Sequence, residues 1–376
     1  MFLYIFFALF FLSAEPVTDA TVRIGLGDSY GKVKISCDGS FKMALKDSSK
    51  HKTLKKKKEY LVYIKDGQLL LDGEKLGQEI RLDCEEEFLR LNGRRYRDSL
   101  ILRSKNGKVQ VVNELGLSGY LYGVIPKEVS PSWPGEVLKA QAVVSRTYVL
   151  NNLGKDCENG YDICSTYLSQ VYGGVEAEDP RSTLAVEETG EEVIYYRDSP
   201  ARVYFHSNSG GYTAGPDEVW EKGTRFPYLR ARPDPYSEDS PNYFWQTKIS
   251  KESLSEALKK EGHKVAKIKK IVPREKTPSG RAKLFLVKAK GGDIQIPGNR
   301  FRSLCGMDKV RSTLIVSMKE SGEWIIIEGR GWGHGVGMSQ WGARSMALAG
   351  KKYKDIIEFY FPETKVKKIS GLPGKK

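Results

Sequence analysis

Residues 120–150 read YLYGVIPKEVSPSWPGEVLKAQAVVSRTYVL, and the change of texture inside this run organises the whole chain. Pro131 and Pro134 break the backbone, and Pro134 suits the first turn of a helix, where a missing N–H costs nothing. From Glu136 to Leu153 no breaker intervenes until Gly154, so the spacing predicts a helix. Val137, Ala140, Val144 and Tyr148 form its apolar stripe, while Lys139 and Arg146, seven residues apart, line up along another side.

Upstream, from Thr21 to Val112, short alternating segments such as TVRIGL, KVKIS, EYLVYI and SLILRS are separated by DG, NG and charged turns, which predicts a β-rich region. Within it HKTLKKKK (51–58) reads as a solvated hairpin tip or a contact for a polyanion. Downstream, DPRSTLAVEETG, KESLSEALKKEG, SQWGARSMALA and YKDIIEFYF read as helices. EVIYYR, ARVYFHS and WIIIEGR read as strands. Helices and strands do not alternate regularly, so the fold class is α+β, with a β-rich part at 21–112 and a mixed α/β region at 113–368 built on the central helix.

The 376 residues suffice for one large or two ordinary domains. A net charge of +14 favours an anionic partner without choosing among nucleic acid, membrane surface and cell-wall polymer. Residues 1–14, MFLYIFFALFFLSA, have the length of a signal-peptide apolar core and are short for a membrane span, though they lack a basic leader. We therefore expect an exported protein, in the periplasm or cell wall, with an uncleaved membrane anchor as the alternative. Cys37, Cys84, Cys157, Cys164 and Cys305 contain no CxxC pair, so spacing does not define a structural zinc site. Export would let cysteines oxidise, and Cys157 and Cys164 are the closest pair in sequence.

Three places carry candidate chemistry. Glu128 sits in what reads as an irregular apolar segment beside Pro126, Val129 and Trp133, just ahead of the helix. Partial burial there raises a carboxyl pKa toward general-acid use, whereas pairing with a lysine would make it an ordinary loop glutamate. FHSNSGGYTAGPDEVW offers His206, Ser207, Ser209, Asp217 and Glu218, but HSNSGG is not a GxSxG elbow, and His206 and His334, which with a carboxylate could bind a metal, are far apart in sequence with no local ligand pair. GRGWGHGVGMSQWG (329–342) alternates glycine with Arg330, Trp332, His334 and Val336. It lacks GxxxxGK[ST] and reads as an extended segment with one bare face, open either to a ligand or to tight packing.

Taken together, YLYGVIPKEVSPSWPGEVLKAQAVVSRTYVL, SQVYGG, AVEETGEEVIYY, VYFHSNSGGYT, DEVW, FRSLCG and GRGWGHGVGMSQWGA resemble, in order, the SpoIID/LytB family of cell-wall proteins. The resemblance spans roughly residues 110–365. It implies a peptidoglycan lytic transglycosylase that cuts the MurNAc–GlcNAc bond and leaves a 1,6-anhydro end, with Glu128 as the catalytic glutamate and Lys139 and Arg146 as supporting cations. The remaining polar and aromatic residues of the matching blocks, Gln141, Tyr148, Gln170, Tyr172, His206, Ser207, Ser209, Arg330, Trp332, His334, Gln340 and Trp341, are then candidates for holding glycan. A polysaccharide needs hydroxyl partners and flat apolar faces, which these side chains supply.

Zinc-binding members carry a His-Cys pair where Leu168 and Ser169 stand here, and only Cys164 resembles a surviving ligand. The resemblance thus implies no zinc and no cofactor, with a Cys157–Cys164 disulfide as a substitute. The expected partners are peptidoglycan strands and other wall hydrolases or an envelope complex. Nucleic acid is a poor partner for an exported chain with no recognisable module. A noncatalytic modifier of an amidase and a water-using muramidase are the competing functions.

Overall fold

The computed structural model describes residues 20–27, 30–46, 51–167, 169–220 and 222–369, so the apolar leader at 1–14 and Leu168 lie outside the described residues. Two sheets form the N-terminal part, antiparallel except where Ile163–Cys164 pairs parallel with Thr21–Gly25. One has the spatial order Ile163–Cys164, Thr21–Gly25, Lys108–Gly116, Ser99–Lys105, Glu79–Asp83, Phe41–Leu45, His51–Leu54. The other runs Arg94–Tyr96, Leu89–Leu91, Lys32–Cys37, Tyr60–Lys65, Gln68–Leu71, Glu74–Gly77. Alternation does the work here: Val33, Ile35, Val62, Ile80, Leu82, Leu100, Leu102 and Val109 all turn inward to one core, as the pleat requires. HKTLKKKK begins as the edge strand His51–Leu54, and only the lysines beyond it form the exposed turn.

Strand Lys108–Gly116 passes straight into helix α1, Leu117–Glu128, which replaces the irregular segment expected around Glu128. Leu117, Tyr120, Leu121, Val124 and Ile125 recur at helical spacing and are buried against the sandwich. Pro126 falls in the last turn, and the amide of Val129 closes the helix by donating to the Ile125 carbonyl at 3.0 Å.

Helix α2, Gly135–Asn152, confirms the breaker-free run. One face, with Leu138, Ala142 and Val149, joins the sandwich core. The opposite face, with Val137, Ala140, Val143 and Val144, joins a second core with Val336, Met338, Ile356 and Phe361. Buried on both sides, α2 has little open surface. Five helices follow after α3, Pro180–Glu188: α4, Pro216–Val219; α5, Lys251–Lys260; α6, Gly298–Cys305; α7, Gln340–Leu348; and α8, Tyr353–Tyr360. The fold is thus mixed α+β.

A third core occupies residues between Trp245 and Ile327, where strands Phe244–Ser250, Ile315–Ser321 and Trp324–Arg330 form one sheet and Lys267–Lys276, Ala282–Lys290 and Ile294–Pro297 another. The region from 113 onward therefore holds two cores. ARVYFHS yields only the short strand Phe205–His206, because its earlier backbone groups bond elsewhere: Asn151 donates to the Ala201 carbonyl, and the Arg202 amide donates to the Tyr228 hydroxyl.

The glycine-rich run also departs from an extended strand. Gly331, Gly333, Gly335 and Gly337 all have positive φ, so left-handed residues alternate with ordinary ones. At Gly337 (φ 74°) an added Cβ would lie 2.1 Å from the Tyr204 carbonyl oxygen, and at Gly331 2.6 Å from that of Asn208. The bare side meets the protein's own backbone, which lets 332–339 lie beside 205–214 through the pairs His206–Ser339, Asn208–Trp332 and Ala214–Val336.

Candidate active site

A cleft of about 690 Å³ opens where the three cores meet, lined by Glu128, Tyr148, His206, Ser207, Trp332, His334 and Gln340 from the predicted set. Lys155, Tyr167, Ser169, Val171, Tyr204, Phe205, Trp220, Asn299, Arg302, Met307 and Gly333 complete it. Glu128 is the only carboxylate among these lining residues.

The end of α1 delivers Glu128, and the segment 170–174 runs alongside that helix. Gly123 makes this approach possible: its carbonyl accepts from the Gly173 amide, and a Cβ there would press 2.7 Å from the Tyr172 ring. Glu128 Oε1 in turn accepts from the Val171 amide at 3.0 Å. Burial raises the Glu128 carboxyl above its ordinary range, and this amide partly offsets the rise. Burial thus favours the acid form, and the amide is one fixed donor for the anion.

Across the cleft, His206 and His334, far apart in sequence, bring their rings to 5.5 Å. His334 Nδ1 accepts from the Val336 amide at 3.0 Å, which leaves Nε2 to carry the proton of the neutral ring. Burial, followed by the charges of Arg302 and Arg281, pushes His334 down to about 3, and burial likewise lowers His206. His206 Nδ1 lies 3.1 Å from the Val336 carbonyl, so it donates there. Trp332 stands half-buried with the Arg311 guanidinium 4.6 Å over its ring.

Arg302 comes from α6 in the third core, where its guanidinium donates to the carbonyls of Val310 and Arg311 and to Asn299 Oδ1. Burial lowers its pKa to about 10. Asn299, Arg302 and Met307 therefore form a wall that no local sequence signal announced, since FRSLCG drew notice only as part of the resemblance. The amphipathic spacing of Phe301 and the neighbouring polar residues in Gly298–Cys305 would have revealed the helix, though not its position.

Other expected site residues serve elsewhere. Arg146, 2% exposed, donates to the carbonyls of Val186 at 3.1 Å and Glu192 at 3.0 Å, so the cation expected to support Glu128 clamps the end of α3 to the following strand. Lys139 Nζ pairs with Glu188 at 2.7 Å and with Glu136 at 3.5 Å. Gln141 bonds Ser145, and Gln340 Nε2 reaches Gln141 at 3.4 Å. Gln170 accepts from the Tyr120 hydroxyl, and Tyr172 donates to Asn113 Oδ1 beneath α1.

Ser209 Oγ donates to buried Asp234 at 2.7 Å, which Tyr360 also reaches, so it is not set as a nucleophile beside His206. Arg330 lies over the Tyr243 and Phe244 rings at a separate depression, while Trp341 packs edge-on against Trp133 under Arg344.

Cys157 and Cys164 are free thiols, which removes the expected bond between them. Cys164 Sγ instead lies 3.4 Å from both Ser169 Oγ and Thr166 Oγ1. Among the described residues no group of three or more His, Cys, Asp or Glu side chains is arranged to hold a metal ion.

The family profile described as Stage II sporulation protein, SpoIID, matches residues 105–196, which carry α1, α2 and Glu128. A second profile, described as a domain of unknown function (DUF8618), matches residues 228–337, which include the third core. An uncharacterized protein of Brachyspira hyodysenteriae is 35% identical over 72% of this chain and 72% of its own length. The amidase enhancer of Bacillus subtilis is 30% identical over 65% of this chain, a match that spans 40% of that relative. Stage II sporulation protein D of the same organism is 27% identical over 71% of this chain and 78% of its own. The chain belongs to the SpoIID/LytB family. No helix among the described residues is long and apolar enough to cross a membrane.

Proposed function

We propose that this protein is an exported peptidoglycan lytic transglycosylase in which Glu128 acts first as acid and then as base. The observation that carries the reading is the single carboxylate among the lining residues of the cleft, buried and with its pKa raised, among aromatic and polar walls. Ordinary glycosidases need two carboxyl groups, one to protonate the leaving oxygen and one to attack or to activate water. Glu128 alone suffices when the nucleophile belongs to the substrate. Its acid form protonates the glycosidic oxygen, an oxocarbenium-like centre develops at the MurNAc C1, and the carboxylate then takes the proton of the sugar's own 6-hydroxyl as that oxygen closes on C1.

The Val171 amide holds the carboxylate in place between the two proton transfers. Trp332, Tyr148 and the neutral His334 offer a ring face and hydrogen-bonding atoms along the groove. Digestion of purified peptidoglycan, including strands stripped of stem peptides, followed by mass analysis, tests this. Anhydro-muramyl products that vanish with Glu128→Gln support it, while reducing-end products would identify a muramidase.

The similarity to a protein named amidase enhancer favours one other reading, a noncatalytic wall-binding modifier of an amidase. Retention on insoluble sacculi with no release of soluble fragments would select it.

A further inference from the structure

Inside the sandwich Cys37 and Cys84, free thiols in this structure like the other three cysteines, bring their sulfurs to 2.8 Å at 0% and 9% exposure. Cys37 ends strand Lys32–Cys37 of the six-stranded sheet, and Cys84 directly follows strand Glu79–Asp83 of the seven-stranded one. The two side chains therefore meet across the interface between the sheets, within about 0.8 Å of a covalent S–S length of roughly 2.05 Å. The other thiols offer no such partner: Cys157 is exposed, Cys164 lies among hydroxyls, and Cys305 ends α6 against the third core.

We propose that Cys37 and Cys84 form a structural disulfide that ties the two sheets of the sandwich together. The oxidant is a disulfide donor, either a small-molecule disulfide or an oxidised thiol–disulfide oxidoreductase. One cysteine thiolate attacks a donor sulfur and expels the first donor thiolate. The second cysteine thiolate then attacks the mixed disulfide, closing the Cys37–Cys84 bond and expelling the second donor thiolate, so the two electrons leave on the reduced donor. Burial pushes the Cys37 thiol up to about 12, which makes its thiolate rare once the sheets have closed. The exchange therefore belongs to the stage before packing, and the same burial shields the finished bond from reductants. Because the cysteines lie 47 positions apart, the bond removes substantial loop freedom from the unfolded chain. It is absent from the cleft lining, so the inference stands or falls independently of the proposed activity.

The test is refolding of the full chain from denaturant into a buffer of oxidised and reduced glutathione, then alkylation under denaturing conditions without reductant, and peptide mapping by mass spectrometry. One peptide pair joined through Cys37 and Cys84 is expected, with Cys157, Cys164 and Cys305 alkylated. The Tm should stand about 5–10 °C above that of protein refolded with reductant. Cys84→Ala should abolish that oxidant-dependent gain and Cys157→Ala should keep it. Five alkylated cysteines, or a cross-link through Cys157, Cys164 or Cys305, overturns the proposal. Should Cys84→Ala fail to fold, the wild-type map decides alone.

Discussion

The carboxylate of Glu128 meets the backbone amide of Val171 at 3.0 Å and forms no ion pair among the described residues. Burial therefore raises its pKa with no paired cation to offset the rise. Two consequences follow for one substitution. Glu128→Gln preserves the contact with the Val171 amide but cannot exchange protons, so glycan turnover should fall by roughly 10²–10⁴ or more. Stability should move the other way. A carboxyl whose folded pKa is raised destabilises the native state as pH rises above the unfolded value of about 4.5. At pH 7 the Gln variant should melt at least as high as wild type, by roughly 1–3 °C, with the difference fading below pH 4.5. Thermal unfolding across pH checks this, and a lower Tm at pH 7 would contradict it.

Arg146 and Lys139 share a helix but should separate on mutation. Arg146→Met removes the buried guanidinium that donates to the Val186 and Glu192 carbonyls, Val186 keeping the Thr189 hydroxyl, at a cost of about 2–4 kcal/mol. Lys139 makes partly exposed ion pairs, so Lys139→Ala should cost no more than about 1 kcal/mol. Denaturant unfolding measures both, and similar values for the two would refute the clamp assigned to Arg146.

Gly337 and Gly350 offer a matched pair, since both have positive φ. A Cβ at Gly337 would lie 2.1 Å from the Tyr204 carbonyl oxygen, whereas nothing lies within 4 Å of one at Gly350. Gly350→Ala should therefore cost only the backbone strain, about 1 kcal/mol, while Gly337→Ala adds a clash and should exceed it by 2 kcal/mol or more, roughly. Equal midpoints in urea would mean that the glycine-rich run is not packed as described.

How far the sequence announced these features depends on what each required. Helix α2 was legible because a long run without a breaker has few alternatives, and Gly154 marked its end. The partners of its cations were not legible, because one helix cannot reveal that both its faces are covered; that follows only when the sandwich and the second core close on it. Helix α1 carried a readable stripe from Leu117 to Ile125, obscured by Gly119, Gly123 and Pro126. In 329–342 the alternation was visible, yet a period of two was equally compatible with a strand and with alternating left-handed glycines, which bare a different side. Glu128, His206 and His334 line the cleft, while Arg302 and Asn299 arrive from a separate core and leave no local trace.

His334 and His206 should make stability fall in acid. Their folded pKa values are depressed, His334 to about 3, so between that value and the unfolded value of about 6.5 the unfolded chain binds more protons than the native one. Stability is full above pH 6.5 and declines as pH drops through this window. His334→Gln should flatten the decline between pH 6 and 4, as measured by urea unfolding at each pH; an unchanged slope would show that His334 titrates normally.

Trp332 and Trp341 provide the last contrast, because both lie in the glycine-rich block but only Trp332 lines the cleft. If glycan occupies that cleft, Trp332→Ala removes a ring face from the ligand and should weaken binding of peptide-free glycan strands by roughly tenfold, about 1.4 kcal/mol. Trp341 instead packs against Trp133 at 5.0 Å with Arg344 over its ring, so Trp341→Ala should lower the Tm while leaving the affinity of the folded protein within about twofold. Calorimetric titration with Glu128→Gln as background keeps the ligand intact during the measurement. Loss of affinity from Trp341→Ala with none from Trp332→Ala would move the glycan out of this cleft and onto the Trp133–Trp341 surface.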